Sequence, residues 1–199
     1  MHQTALRAAD AGEAVILAKH HDRRMMSDFL LSQILATIAF ACGIISFQFR
    51  NRRTILLWLF GSAISNACHF SVLDRPGPGV LSLIIGIRFL VSAFSTDRRL
   101  MYLFLGIVLV GFFLSNKNAL SYLTLFATLL ATYASFQGTD RRIRLIFMLC
   151  GSAWLAHNVL AGSPIAALME AAFVTSNMVG YWRIYITSVD RSTQRITKE

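Results

Sequence analysis

GSAWLAHNVLAGSPIAALMEAAFVTSNMVGYWR, residues 151–183, is almost wholly apolar, yet it carries polar side chains in its interior. These interior polar residues are His157, Asn158, Glu170, Ser176 and Asn177. Polar groups at hydrocarbon depth are costly, so such positions usually face a bundle interior or a water-filled cavity. The stretch therefore predicts a membrane protein with an internal polar site.

The composition of the whole chain also indicates a membrane protein. Of its 199 residues, 55% are hydrophobic and 15% are charged, whereas an average soluble domain is about 25% charged. Several apolar runs approach the length of about 20 residues that spans a bilayer core. We expect an all-α polytopic protein with seven transmembrane helices, at residues 29–49, 55–73, 79–95, 100–114, 119–136, 143–160 and 165–186.

The formal net charge of +9 comes from basic residues at the ends of the apolar runs. This distribution is typical of topology signals and anionic-lipid contact, and we expect no nucleic-acid partner. With seven spans, one side of the membrane receives twelve of the basic residues, so that side is predicted to be cytoplasmic. The N-terminus is then outside and the C-terminus inside. The twelve are Arg50, Arg52, Arg53, Arg98, Arg99, Arg141, Arg142, Arg144, Arg183, Arg191, Arg195 and Lys198.

The chain also repeats itself at an offset of 89 or 90 residues. Phe47-Gln48 matches Phe136-Gln137, and residues 61–63 and 151–153 both read Gly-Ser-Ala. At the same offset, Arg88 corresponds to Asn177. An odd connecting helix gives both units the same orientation, so the repeat is predicted to be parallel, about an axis along the membrane normal. The predicted parts are two three-helix bundles, 29–95 and 118–186, joined by a linker helix within 96–117.

The two ends of the chain read differently from the rest. Residues 1–28 form a polar leader whose apolar run is too short for a signal peptide. We expect translation to begin at Met25 or Met26, and the alternative is an ordered amphipathic segment. Residues 187–199 are predicted to form a cytoplasmic tail.

Residues 30–185 resemble the YgjV family of bacterial inner-membrane proteins. The specific parts of this resemblance are Trp154-x-x-His157-Asn158-x-x-x-Gly162-Ser163, Glu170, Asn177, Trp182-Arg183, His69 and Arg88. More distantly, the 3+1+3 arrangement resembles the PQ-loop/SWEET transporter superfamily, which implies a central site lined by the third helix of each unit. Gln48 and Gln137 stand at that superfamily's Pro-Gln position, where Phe47 and Phe136 replace the proline and remove a helix kink.

Arg88 is the most informative single residue, because it lies deep in an apolar run. An arginine near the midplane costs at least about 2.5 kcal/mol, so it should have a partner, and Glu170 is the only carboxylate deep in a span. One alternative is a structural ion pair between the two. The other is that Arg88 binds an anionic substrate group, with Glu170 as counter-ion or proton-coupling carboxylate.

Further polar residues are candidates for the same site. Asn177 and Ser176 fall near the middle of the seventh span, and Asn66, Asn158 and Trp154 are additional candidates. His69 and His157 lie late in the second and sixth spans. Each could relay protons or bind a ligand, or could be a core histidine bonded to a backbone carbonyl.

These features favour a carrier or facilitator of the bacterial inner membrane for a small polar or anionic solute. The alternatives are a receptor or scaffold that binds a peptide or lipid headgroup in the same cavity, and polar residues that merely fix helix register. Enzyme signatures such as HExxH, GxSxG and the P-loop are missing from the sequence, so we expect no catalytic residues, metal or cofactor. The expected partners are the lipid bilayer and a small solute, and the sequence is compatible with a homo-oligomer.

Overall fold

A computed structural model describes residues 25–114 and 118–187, and these residues form seven α-helices and no strand. This confirms the all-α architecture. Residues 1–24 of the predicted leader at 1–28 and most of the tail lie outside the described residues, whereas residues 25–28 belong to the first helix. The helices are α1 Met25–Ser46, α2 Arg52–Val72, α3 Pro76–Phe94, α4 Arg98–Leu114, α5 Ala119–Ser135, α6 Asp140–Leu160 and α7 Pro164–Tyr181, which continues as a π-helix, Trp182–Ile186.

Four of the described helices, α1, α2, α3 and α6, are long and apolar enough to cross a membrane. The shorter α5 is also apolar. Large apolar side chains such as Leu81, Phe113 and Leu168 are more than half exposed on the helix surfaces. An apolar surface of this kind suits a lipid environment. The number of membrane crossings and the orientation of the termini stay predictions.

Apart from α5, the helices begin one to four residues before the predicted apolar runs, and α3 shows why. The segment Pro76–Gly79 has the composition of a break between spans, but it forms the first turn of α3. Proline is tolerated there because the first amides of a helix have no intrahelical partner. The break is confined to Leu73–Arg75, where Asp74 takes a φ of 53°.

The turn between α6 and α7 depends on a glycine. Gly162 has a φ of 68°, a conformation that costs glycine little because it lacks a Cβ. In this conformation the amide of Ser163 donates to the carbonyl of Asn158 at 2.9 Å and caps the end of α6. The tight turn brings α7 back along α6.

The helices pack in a definite order. α2 packs on α3, and α6 packs on both α5 and α7. α1 contacts α2, where the Ser62 hydroxyl donates to the Ala39 carbonyl at 2.7 Å, and it contacts α7, where the Phe40 and Phe173 rings lie 5.2 Å apart. The predicted halves also meet where α3 contacts α5 and α2 contacts α6. The symmetry of the repeat itself stays a prediction.

The most tightly packed part of the fold is the end where α1, α3 and α5 finish and α2, α4 and α6 begin. We call it the basic end, after the arginines that flank these helix ends. A cluster of fully or almost fully buried side chains fills it, namely Phe47, Ile55, Leu56, Phe89, Ala93 and Ile143. α4 joins the same end through Met101 and Phe104, which pack on Phe136. The helices are densely packed at this end, and a hollow lies between them further along the bundle.

Candidate functional site

A cavity of about 280 Å³ lies between the two predicted halves. Residues from α1, α2, α3, α5, α6 and α7 line it, and much of its wall is aromatic. The polar or charged groups in its lining are Ser62, Arg88, Thr128, Trp154, Glu170 and Asn177. A mostly apolar hollow with a few convergent polar groups is the usual form of a small-molecule site.

Arg88 is the cation of this cavity and is only 4% exposed. Its Nη1 donates to the Thr132 hydroxyl of α5 at 2.7 Å, and its guanidinium carbon lies 4.7 Å from the centre of the Phe89 ring. Its Nε is buried and has no hydrogen-bond partner in the described residues. A guanidinium held by a neutral hydroxyl and a ring has no anionic group in contact with it among the described residues.

The ion pair between Arg88 and Glu170, one of the two alternatives from the sequence, does not form. Within the described residues the single ion pair joins Arg144 Nε to Asp140 Oδ2 at 3.9 Å. Glu170 lies instead against Gly151 of α6, where a Cβ on that glycine would come within 3.8 Å of the Glu170 Oε2. Thr132 fixes Arg88 toward α5, so the two charges lie on the same cavity without touching.

Asn177 is 1% exposed and also lines the cavity. Its Nδ2 donates to the Arg144 carbonyl at 2.8 Å, whereas its buried Oδ1 has no partner in the described residues. Arg88 and Asn177, which correspond at the repeat offset, thus both reach the cavity from the third helix of their half. Each brings a polar atom with unused hydrogen-bonding capacity.

Two other candidates, Ser176 and His69, form hydrogen bonds between helices and do not line the cavity. The Ser176 hydroxyl donates to the Ile44 carbonyl at 2.8 Å and accepts from Gln48 Nε2 at 2.8 Å, so it joins α7 to the end of α1. His69 Nδ1 lies 2.8 Å from the Ser32 carbonyl of α1, as expected for a core histidine. Gln137, the counterpart of Gln48, contacts the Tyr133 carbonyl in its own half.

The remaining candidates lie toward the end of the bundle opposite the basic end. His157 packs edge-on against Trp154, with ring centres 5.5 Å apart, and its buried Nδ1 has no partner within the part of the chain that the structure describes. Asn158 and Asn66 are half-buried and do not belong to the lining. Of the predicted site residues, the structure brings together Arg88, Glu170, Asn177 and Trp154.

Comparison with known proteins places the chain in a family. A model of the bacterial inner-membrane protein family Imp-YgjV matches residues 30–188. The chain belongs to the YgjV family. No curated protein and no solved structure matches it. The match confirms the predicted family and the bacterial inner membrane as the location, while the link of this YgjV-family chain to the PQ-loop/SWEET superfamily stays a prediction.

Arg52 and Arg144 contact the interior of this YgjV-family chain. The charge pattern had predicted them only as two of the twelve basic residues that mark the cytoplasmic side. Arg144 of α6 is fully buried and donates to the carbonyls of Phe47, at 2.6 Å, and Phe49. Arg52 of α2 donates to the Gln137 carbonyl at 2.6 Å and also to carbonyls at the end of α3, including that of Ser92. Each guanidinium therefore binds the end of a helix in the other half, and together they close the basic end.

Sequence reasoning also missed the small polar residues of α5. Thr128 lines the cavity, and Thr132, one turn further, holds Arg88. The spacing of four residues places both hydroxyls on one helix face. This pattern in the sequence could have indicated a polar face of α5. A threonine in an apolar helix usually bonds to its own backbone, as these two also do, so the pattern alone did not distinguish them.

Proposed function

We propose that the chain is a carrier or facilitator that moves a small anionic solute across the bacterial inner membrane. The solute binds between the two halves, beside Arg88. The single observation that supports this most strongly is that Arg88 is buried, lines the cavity and contacts no carboxylate of the described residues. A neutral polar solute explains the same cavity less well, because it gives the guanidinium no anionic group in direct contact.

The energetics of a buried charge favour an anionic ligand. An unpaired charge inside a protein is strongly destabilising, and inside a membrane the cost is higher than in water-facing sites. A protein that keeps such a group without a structural counter-ion gains most when a mobile anion supplies the missing charge. A carboxylate or phosphate suits a guanidinium because its oxygens match the guanidinium donors.

The size and lining of the cavity limit the solute. A volume of about 280 Å³ lies just below the range of about 300–1,000 Å³ that is usual for ligand pockets. The free Oδ1 of Asn177 can accept a hydrogen bond, and the walls near Trp154 and Phe173 are aromatic. These features suit a small organic anion with a hydroxyl or amino group.

The hydrogen bonds that close the basic end support a carrier over a static receptor. The basic end is held by hydrogen bonds from Arg52 and Arg144 to helix-end carbonyls. Water can replace such bonds when the halves separate. A change of access to the cavity then needs these bonds to break and re-form, which is a rigid-body movement of one half against the other.

The test is uptake into proteoliposomes that contain the purified chain. We expect saturable uptake of at least one of acetate, lactate and inorganic phosphate, and no uptake of neutral glycerol. Arg88→Met should abolish that uptake. Arg142→Met is the matched control, because it removes the same charge from an exposed side chain of α6 and should leave uptake unchanged.

The same preparation separates the alternatives. A solute that raises the melting temperature without crossing the bilayer would favour a receptor or scaffold. If Arg88→Met combined with Glu170→Leu leaves both binding and growth unchanged, the polar residues only fix helix register and the carrier proposal fails.

A further inference from the structure

We infer that the binding of an anion beside Arg88 is coupled to the uptake of one proton by Glu170, so that the chain takes up the anion and the proton together. This inference rests on the proposed function and adds a second ligand to the same cavity. It depends on three features of the structure: the isolation of Glu170, the charges that face it, and the charge balance of the cavity.

Glu170 lies in the cavity wall without a hydrogen-bond or ion-pair partner among the described residues. Its side chain is half-buried and forms no hydrogen bond or ion pair with any residue in 25–114 or 118–187. Its nearest surroundings are Gly151 of α6, Val174 of its own helix and the apolar cavity lining. A carboxyl group in such surroundings can exist in either protonation state, because no donor fixes the charged form.

Few charged or titratable groups face Glu170. α3 contributes Arg88 to the lining, and α6 contributes Cys150, whose thiol donates to the Ala127 carbonyl at 3.2 Å. The lining residues of α1, α2 and α5 are not titratable. Beyond the lining, α6 carries His157 toward one end and Arg144 toward the basic end. Cys150 lines the same cavity as Arg88 and Glu170.

The charge balance of the cavity couples the two ligands. When empty, the cavity contains one guanidinium and one carboxylate, which are separate but opposite in sign. A bound anion adds a second negative charge beside apolar walls, where repulsion is only weakly screened. Protonation of Glu170 removes that excess. By linkage, the proton must strengthen anion binding by the same factor by which the anion strengthens proton binding.

The first experiment measures anion binding to the detergent-purified full chain as a function of pH. The probes are the sodium salts of chloride, nitrate and methanesulfonate, which do not titrate, and binding is followed by tryptophan fluorescence because Trp154 lines the cavity. We expect the wild-type Kd to fall by up to about tenfold for each unit by which the pH is lowered within the range in which Glu170 of the empty protein is ionised, and to become constant once that carboxyl is protonated. Glu170→Gln should bind with one Kd at all pH values, equal to the acid limit of the wild type.

The second experiment counts protons. In a weakly buffered solution with a pH indicator, the wild type should take up close to one proton for each anion bound at a pH where Glu170 is ionised. Glu170→Gln should take up none. His157→Gln is the control, because it removes the nearest imidazole and should leave the proton count unchanged. Arg88→Met should bind no anion and take up no proton.

The outcomes separate the coupling from the proposed function. Anion binding by the wild type with no proton uptake, or unchanged coupling in Glu170→Gln, overturns the inference and leaves the anion site standing. If none of the three anions binds, the anion site itself fails and the coupling fails with it. If Glu170→Gln does not fold, the proton count of the wild type and of His157→Gln decides the question.

Discussion

Two buried arginines, Arg88 and Arg144, have opposite roles that their surroundings make clear. Arg144 donates to the carbonyls of Phe47 and Phe49, and its Nε lies 3.9 Å from the Asp140 carboxylate. Arg88 has one hydroxyl partner and no ion pair within the described residues, and the Nε of each arginine has no hydrogen bond there. A buried cation with two carbonyl acceptors and a nearby carboxylate is better satisfied than one with a single hydroxyl, so Arg88 costs more stability and is kept for another reason.

Arg88→Met should therefore leave the unliganded protein as stable as the wild type or more stable. Replacement of a buried ion pair by apolar side chains is often neutral or stabilising by about 1–4 kcal/mol, and we expect the same direction for Arg88, which forms no ion pair within the described residues. Thr132 keeps a partner after the change, because its hydroxyl also donates to the Thr128 carbonyl at 2.9 Å. Thermal unfolding in detergent measures the effect, and a melting temperature far below that of the wild type would show that Arg88 is structural.

Arg144→Met should have the opposite effect. It removes the donors of two helix-end carbonyls and leaves Asp140 without its cation, so we expect a loss of about 3 kcal/mol in the free energy of unfolding. Arg144→Lys keeps the charge without the planar fork and should recover part of that loss. The same melting assay checks both variants, and equal stability of all three proteins would contradict the role assigned to Arg144.

At the scale of the helices, close approach is controlled by glycines as well as by arginines. α7 crosses the end of α1 at Gly180, where a Cβ would clash with the Phe47 carbonyl. Gly43 of α1 meets the Phe173 ring in the same way. These contacts hold α7 against α1, which places Asn177 in the cavity wall and Ser176 on the Ile44 carbonyl.

Gly180→Ala should destabilise the fold by about 1–3 kcal/mol, because an added methyl group in a close-packed contact forces the backbone apart. Gly111→Ala is the matched control, since it lies in α4 with no atom within 4 Å of an added Cβ. That control should be neutral or stabilising by up to about 1 kcal/mol. Comparison of the two unfolding curves is the test, and equal effects would mean that the contact of α7 with α1 is loose.

In the part of the chain that the structure describes, the two predicted halves meet at the basic end and line the cavity beyond it. Cross-links from Arg52, Arg144 and Gln48 to the other half all lie at that end. This distribution makes the basic end the point that must open if the solute is to leave on that side.

A covalent link across the basic end should therefore stop transport and spare binding. Gln48 Nε2 and Ser176 Oγ lie 2.8 Å apart, so a short bismaleimide should join Gln48→Cys to Ser176→Cys in a background without native cysteines. We expect uptake to fall to the level of empty liposomes while anion-dependent stabilisation persists. Either single-cysteine variant treated in the same way is the control, and full uptake by the linked protein would argue against movement at this end.

The predicted orientation is tested by reporter fusions. If the basic end is cytoplasmic, a green fluorescent protein fused after Asp97 should fluoresce, and alkaline phosphatase fused after Asp74 should be active outside the cell membrane. Inactive phosphatase at Asp74 together with active phosphatase at Asp97 would reverse the assignment.

The sequence by itself determined the class of the protein and the position of each helix to within a few residues, because long apolar runs in lipid must satisfy their backbone groups as helices. It also identified Arg88, Glu170 and Asn177, because polar side chains at such depth are expensive and therefore conspicuous. Only the tertiary structure decided how these side chains are used. Partners depend on which helix faces meet, and the local sequence around Arg88 and Glu170 does not contain that information. In the structure Arg88 does not contact Glu170 and instead donates a hydrogen bond to Thr132. Arg52 and Arg144, which the sequence predicted as surface charges, form hydrogen bonds between the two halves.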